Sequence, residues 1–147
     1  MGHQLFDRGE ELVIKEHFTE EVSKPASVTV GLYNDATDDL QESDEDPDND
    51  ISTEPDDGDY SRLTVDYGDV DMESAQIGGD WTVELTDAGA DLSFDVGGTT
   101  GTVDSYFVVV NWDGTDYLFF NGPLSQSYDL GDITGSLNVE NAGGSLS

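Results

Sequence analysis

The sequence predicts a mainly β protein: an antiparallel β-sandwich or jelly roll of about eight or nine strands with one short N-terminal helix. Three observations carry that expectation. From Tyr60 onward apolar and polar residues alternate at period two, as in Trp81 to Thr86, where Trp81, Val83 and Leu85 fall on one face. Gly- and Asp-rich turns separate the runs. Asp113-Gly114 stands between two apolar runs, the pattern of a tight hairpin.

In chain order, Asp7 to Phe18 reads as the helix. Asp7 is placed to cap it with Glu10 as the partner of a capping box, and Glu11 precedes Lys15 by four residues in the favourable order. Leu12, Val13 and His17, closed by Phe18, make a narrow packed stripe; so short a helix must dock on something. Leu12, Val13 and Phe18 are therefore the candidate interface residues, and residues 1–26 are read as a docking segment. A single β domain, 27–147, follows.

Ser27 to Tyr33 is the first strand expected, with Val28, Val30 and Leu32 on one face. Residues 34–59 differ from all that surrounds them. Half of these 26 residues are acidic and none is basic, with Leu40 and Ile51 the only anchors, so a long solvated loop is expected. Strands are then predicted at Arg62 to Tyr67, Met72 to Ile77, Trp81 to Thr86 and Asp91 to Val96. Tyr106 to Trp112 and Tyr117 to Phe120 are apolar on both faces and form the central hairpin. Tyr128 to Leu130, then Ile133, Leu137 and Val139, supply closing strands, and Gly-Gly pairs at 78–79, 97–98 and 143–144 punctuate the run.

Charge sets the chemistry of the surface. Thirty-four acidic residues face four basic ones, Arg8, Lys15, Lys24 and Arg62, for a formal net charge of -30. Such self-repulsion destabilises a compact state at low salt. At ~1 M salt the Debye length is ~3 Å and the repulsion is screened, so the composition suits a halophile. Two Trp, six Tyr and six Phe in alternating runs argue against a disordered acidic chain. Nucleic acid as a partner requires Lys and Arg to neutralise phosphates, and an anionic membrane repels this chain equally. Cysteine is absent, which removes disulfides and thiolate sites. No run approaches the ~20 apolar residues of a bilayer span. The start, Met1 to Asp7, lacks a basic region followed by an apolar one, so synthesis in the cytoplasm without ordinary secretion is expected.

No set of residues reads as catalytic. His3 and His17 are the only histidines, and no Gly-x-Ser-x-Gly elbow occurs. Among so many acids a glycosidase-like carboxylate pair carries no weight, and Glu84 and Glu140 fall where a polar face puts them. Gly97 to Gly101 lacks the Lys of a phosphate loop and reads as a turn. Asp44, Asp46, Asp48 and Asp50 alternate like the first half of an EF-hand loop, but its Gly and Glu positions do not follow. These four are the candidate ligands for loosely bound Ca²⁺, Mg²⁺ or Na⁺, and no other cofactor is implied. Trp112, Tyr117 and Tyr106 are candidates for a sugar-stacking platform, against the alternative of core or oligomer contacts.

The order of these elements resembles the short structural proteins of tailed viruses. The features that carry the likeness are the helix, Val28 to Tyr33, Ser52 to Pro55, Tyr60-Ser61-Arg62, Phe94 to Val96, the Tyr106 strand, Gly122-Pro123-Leu124 and Leu137 to Val139. With the halophilic composition, the resemblance implies a virion protein of a haloarchaeal tailed virus. It implies a β-sandwich forming a symmetric homo-oligomer, a trimer or pentamer, on other virion proteins such as the major capsid protein. A capsid decoration or turret is favoured over a tail, tail-fibre or baseplate part. The alternative from another class is a carbohydrate- or cation-binding module of a halophile.

Overall fold

A computed structural model describes residues 4–19, 23, 25, 27–66, 72–77, 80–85, 91–140 and 143–145, and for 72–77, 80–84 and 143–145 the backbone alone. The fold is mainly β and antiparallel throughout, as the alternation predicts. The strands of the central sheet are β1 (Gln4–Leu5), β2 (Ser27–Tyr33), β3 (Leu63–Asp66), β7 (Thr102–Trp112) and β8 (Thr115–Asp129), in the order β1-β8-β7-β2-β3. A second sheet, β10-β5-β4, joins β4 (Met72–Ile77), β5 (Asp80–Leu85) and β10 (Gly143–Ser145). β6 (Leu92–Asp95) pairs with β9 (Ser136–Val139).

The long β7–β8 hairpin turns at Asp113 and Gly114, whose φ values of 53° and 83° fit the left-handed turn that Asp-Gly favours. β7 is apolar on both faces because both are covered. Tyr106, Val108 and Val110 pack with Val28, Val30 and Leu32 of β2, Phe94 of β6 and Leu137 of β9, which makes the sandwich core. Phe107 and Val109 point the other way into a second cluster with Phe6, Tyr33, Leu118, Leu40 and Ile51. The last two belong to the acidic segment, which is therefore a folded layer rather than the solvated loop expected from its charge.

A one-residue bulge in β8 makes this two-sided packing possible. Val108 is opposite Phe120 while Val109 is opposite Leu118, leaving Phe119 as the extra residue. Without it Leu118 and Phe120 would share a face; with it they fall in opposite clusters. Two backbone groups at the bulge bond away from β7. Phe119 O accepts from Phe6 N–H, and Leu118 N–H donates to Glu45 O of the acidic segment, both at 2.9 Å.

The helix begins differently from expectation. β1 and Phe6 follow the edge of β8, and α1 (Asp7–Ile14) starts at once, with Phe6 as its N-cap and no side-chain cap. Asp7 lies inside the first turn, where its N–H is satisfied by Glu42 O at 2.9 Å, so no capping box is needed. α-Helical bonding stops at Ile14 and a π-helical turn, Lys15–Thr19, replaces the predicted last turn. The helix docks on its own chain. At Gly9 an added Cβ would lie 2.5 Å from both the Phe119 ring and its carbonyl oxygen, so only glycine allows this approach.

Three other strand expectations change. Tyr128 closes no separate strand; it continues β8, which bulges through residues 124–127 after Pro123, since Tyr128 faces Val103 and Pro123 faces Ser105. Gly143 and Gly144, read as punctuation, pair with Glu84 and Val83 in β10. β3 begins at Leu63 rather than Arg62, and Tyr67 lies outside the described residues, as do His3, Lys24 and the Gly78-Gly79 pair.

Gly31 of β2 is fitted to Phe107, because a Cβ there would overlap the Phe107 ring and sit 3.0 Å from the Tyr60 hydroxyl. Phe107→Ala should cost about 3–5 kcal/mol, and Gly31→Ala about 1–3 kcal/mol by overpacking. Denaturant unfolding in concentrated KCl should show the double variant to be less destabilised than the sum, since each change relieves the other's misfit.

Candidate functional site

Residues 34–59 pack on the outer face of the central sheet as a lid. Two single-turn helices give it shape: α2 (Asp35–Asp38), capped by the Asn34 side chain, and α3 (Pro47–Asp50), capped by Asp46 with Pro47 at its first position. Leu40 and Ile51 plug the second core cluster, and Pro47 and Pro55 are buried.

Carboxylates hold the lid by accepting hydrogen bonds from backbone N–H groups, a role that needs no lysine. Asp38 accepts from the N–H and hydroxyl of both Ser52 and Thr53, clamping α2 to the returning chain. Asp104, at a register shift in β7, accepts from Asp35 and Ala36 N–H and so ties α2 to the sheet. Asp57 accepts from Thr100 N–H and hydroxyl, and Asp59 N–H donates to Gly97 O. The Gly97–Gly101 turn is thus the lid's far anchor, and Gly58 passes so close to Gly98 that a side chain there would collide with backbone.

The four aspartates proposed as cation ligands do local work. Asp44 accepts from Gln41 N–H at 2.7 Å; Asp46 accepts from Asp48 and Asn49 N–H; Asp50 accepts from Glu45 and Asp46 N–H. Asp48 meets Arg62 at 3.3 Å. Among the described residues no group of three or more His, Asp and Glu side chains is arranged to hold a metal ion.

Two arginines supply the lid's positive charge. Arg62 forks onto Glu54, with Nε and Nη2 each 2.8 Å from a carboxylate oxygen, and lies over the Phe107 ring. Its pKa rises, first through the Glu54 hydrogen bond. Tyr60 donates to the same carboxylate and accepts from Leu32 N–H, beyond the Val30–Leu63 pair, where β3 has not yet begun. Burial, then the Glu54 charge, pushes the Tyr60 phenol above its ordinary range. Arg8 bridges Glu11 on the helix and Glu45 on the lid, both at 2.6 Å. Beneath the lid, buried Asn121 donates to Tyr33 OH, which donates to Asp35.

The remaining candidates are dispersed. Tyr106 is fully buried; Tyr117 and Trp112 are half-buried against the core, with Arg8 over the Tyr117 ring and Lys15 over Trp112. Of the stripe proposed as an interface, Leu12 is in the chain's own core and Val13 is partly buried. Phe18 is 75% exposed, beside exposed His17, and Ile14 is 55% exposed. Glu140 is exposed and lines a small groove with Ser125 and Tyr128; of Glu84 only the backbone is described. Sequence reading missed Asp38, Asp57, Asp104 and the Arg62–Glu54 fork. The one local signal it had was Asp46-Pro47, an N-cap followed by proline.

No family model, curated protein or solved structure matches the chain. No helix among the described residues is long and apolar enough to cross a membrane.

The Asp38 carboxyl is pushed up by burial, but its bonds from Ser52 and Thr53 outweigh this and hold it below the ordinary 3.8. Bonds from Thr100 likewise hold Asp57 low. For carboxylates lowered on folding, the stabilisation is full above the unfolded pKa and is lost as pH falls through the folded value. In ~2 M KCl, where general repulsion is screened, the melting temperature should hold from neutrality to about pH 5 and fall below about pH 4. A variant carrying Asp38→Asn and Asp57→Asn should start lower and lose less on acidification.

Deleting residues 42–50 removes the Glu45 and Glu42 carbonyl acceptors and buried Pro47. Chemical denaturation should show a loss of at least about 3 kcal/mol. A purely solvated loop would give nearly none.

Proposed function

We propose that the protein is a non-enzymatic structural component of a virus particle from a halophilic host, a capsid decoration or turret protein that assembles as a symmetric homo-oligomer on the shell. The observation that carries this reading is the exposed end of the N-terminal helix. Ile14 and Phe18 are the large apolar side chains left open to solvent among the described residues, and both lie on one turn and a half of helix. On a surface otherwise crowded with carboxylates, such side chains suit contact with a neighbouring protein. A π-helical turn, which costs regular hydrogen bonding and is common at functional positions, holds Phe18 there.

The rest of the molecule supports the same reading. Both faces of the central sheet are covered and the acidic segment is tied down, which suits a rigid ornament that works by shape. The charge of -30 suits brine. The order of elements along the chain adds the likeness to short structural proteins of tailed viruses.

The test is immunogold labelling of intact particles from a salt-grown culture, with antibody to this protein. Gold on heads is the expected result. Gold on tails would move the same oligomer to the tail, and clean particles with labelled cells would overturn a virion role. In parallel, Phe18→Ser should shift sedimentation in concentrated salt toward monomer while leaving the melting temperature within about 2 °C, since an exposed side chain contributes little to the fold.

A further inference from the structure

The core is divided in two, and the halves are closed by different means. The sandwich cluster is enclosed by paired strands. The outer cluster of Phe6, Tyr33, Phe107, Val109 and Leu118 has only Leu40 and Ile51 over it from the lid. The lid's further ties are hydrogen bonds accepted by its own carboxylates and by Asp104, a few backbone bonds and the two arginine bridges.

Thirteen of the lid's 26 residues are acidic, and among the described residues Arg8 and Arg62 form ion pairs with them. The repulsion among these carboxylates opposes closure. Its range is ~3 Å in ~1 M salt and ~10 Å at ~0.1 M, so dilution extends it across a segment of this size. The lid is joined to β2 and β3 at its ends and contributes no strand to the sheet. It can therefore leave the sheet without breaking a ladder, as the low-stability units of folded proteins do.

We propose that residues 34–59 form an ionic-strength-gated lid: closed on the central sheet in concentrated salt and released, with the sandwich intact, when salt is diluted. Release uncovers Phe107, Val109 and Leu118. The inference rests on charge and packing and is independent of the virion reading.

Hydrogen exchange of the full chain, followed by mass spectrometry from about 3 M to about 0.2 M KCl, tests it. The amides to follow are those of Leu40, Glu45, Ser52 and Thr53, against the β7–β8 amides around Val108 and Phe120. Lid peptides should exchange at least tenfold faster at a salt concentration where the hairpin peptides are unchanged. A second variant fixes the cause. Asp39, Glu42 and Asp56 are exposed, and their carboxylates make none of the ties described, so Asp39→Asn, Glu42→Gln and Asp56→Asn remove charge but not bonds. Asp39 has φ 49°, a conformation asparagine also tolerates. The triple variant should keep its lid closed to lower salt. Loss of lid and hairpin protection at one salt concentration would overturn the proposal, as would salt-independent lid exchange or an unmoved midpoint in the triple variant.

Discussion

β7 is apolar on both sides through its middle, so the sheet at the centre of this protein has to be covered twice. The inner cover is ordinary: β6, β9 and Leu85 of β5 close a sandwich core of aliphatic and aromatic side chains. The outer cover comes from the least apolar stretch of the chain. That constraint organises the rest. The bulge at Phe119 puts Leu118 and Phe120 on opposite faces, and the Leu118 N–H seats the lid at Glu45. The neighbouring carbonyl seats Phe6, after which the helix begins.

A half-acidic segment folds here because its carboxylates are acceptors as well as charges. Each turn of backbone leaves N–H groups without partners, and aspartate satisfies them at short range. Asp38, Asp46, Asp50 and Asp57 do so within the lid and at its far anchor, and Asp104 does so from the sheet. Lysines would hold such a surface by pairing charges, but this chain has almost none. The cost is repulsion that only dissolved salt removes, which joins the composition of the surface to the conditions under which the lid stays closed.

The described cations, Arg8, Lys15 and Arg62, are placed where elements meet. Arg8 joins helix to lid and covers Tyr117; Lys15 pairs with Glu11 and covers Trp112; Arg62 joins β3's approach to Glu54 and Asp48. The aromatic hairpin tip, a sugar platform or a core or oligomer contact by sequence, packs half-buried against the sandwich core with a cation over each of its two rings. The outward apolar contact is instead at Ile14 and Phe18, beyond the point where the helix leaves its own sheet.

Strands were legible because alternation is local. Ser27 to Tyr33 and Met72 to Ile77 appear where the pattern puts them, Leu92, Phe94 and Val96 point inward together, and Asp113-Gly114 turns the hairpin. The Glu11–Lys15 pair is also as read. The two lid anchors, Leu40 and Ile51, were visible as the lone large aliphatic residues of an acidic run. Their meaning was not, because it depends on Phe107, Val109 and Leu118, more than fifty residues away, having one uncovered face. The same holds for Asp44, Asp46, Asp48 and Asp50. Spacing alone permits a cation site, while the backbone path decides that three of them meet N–H groups and the fourth meets Arg62. Alternation tells which side of a strand is wet or dry; only the folded chain determines which distant segment lies across the second dry side, because that contact is made between surfaces and not between neighbours in sequence.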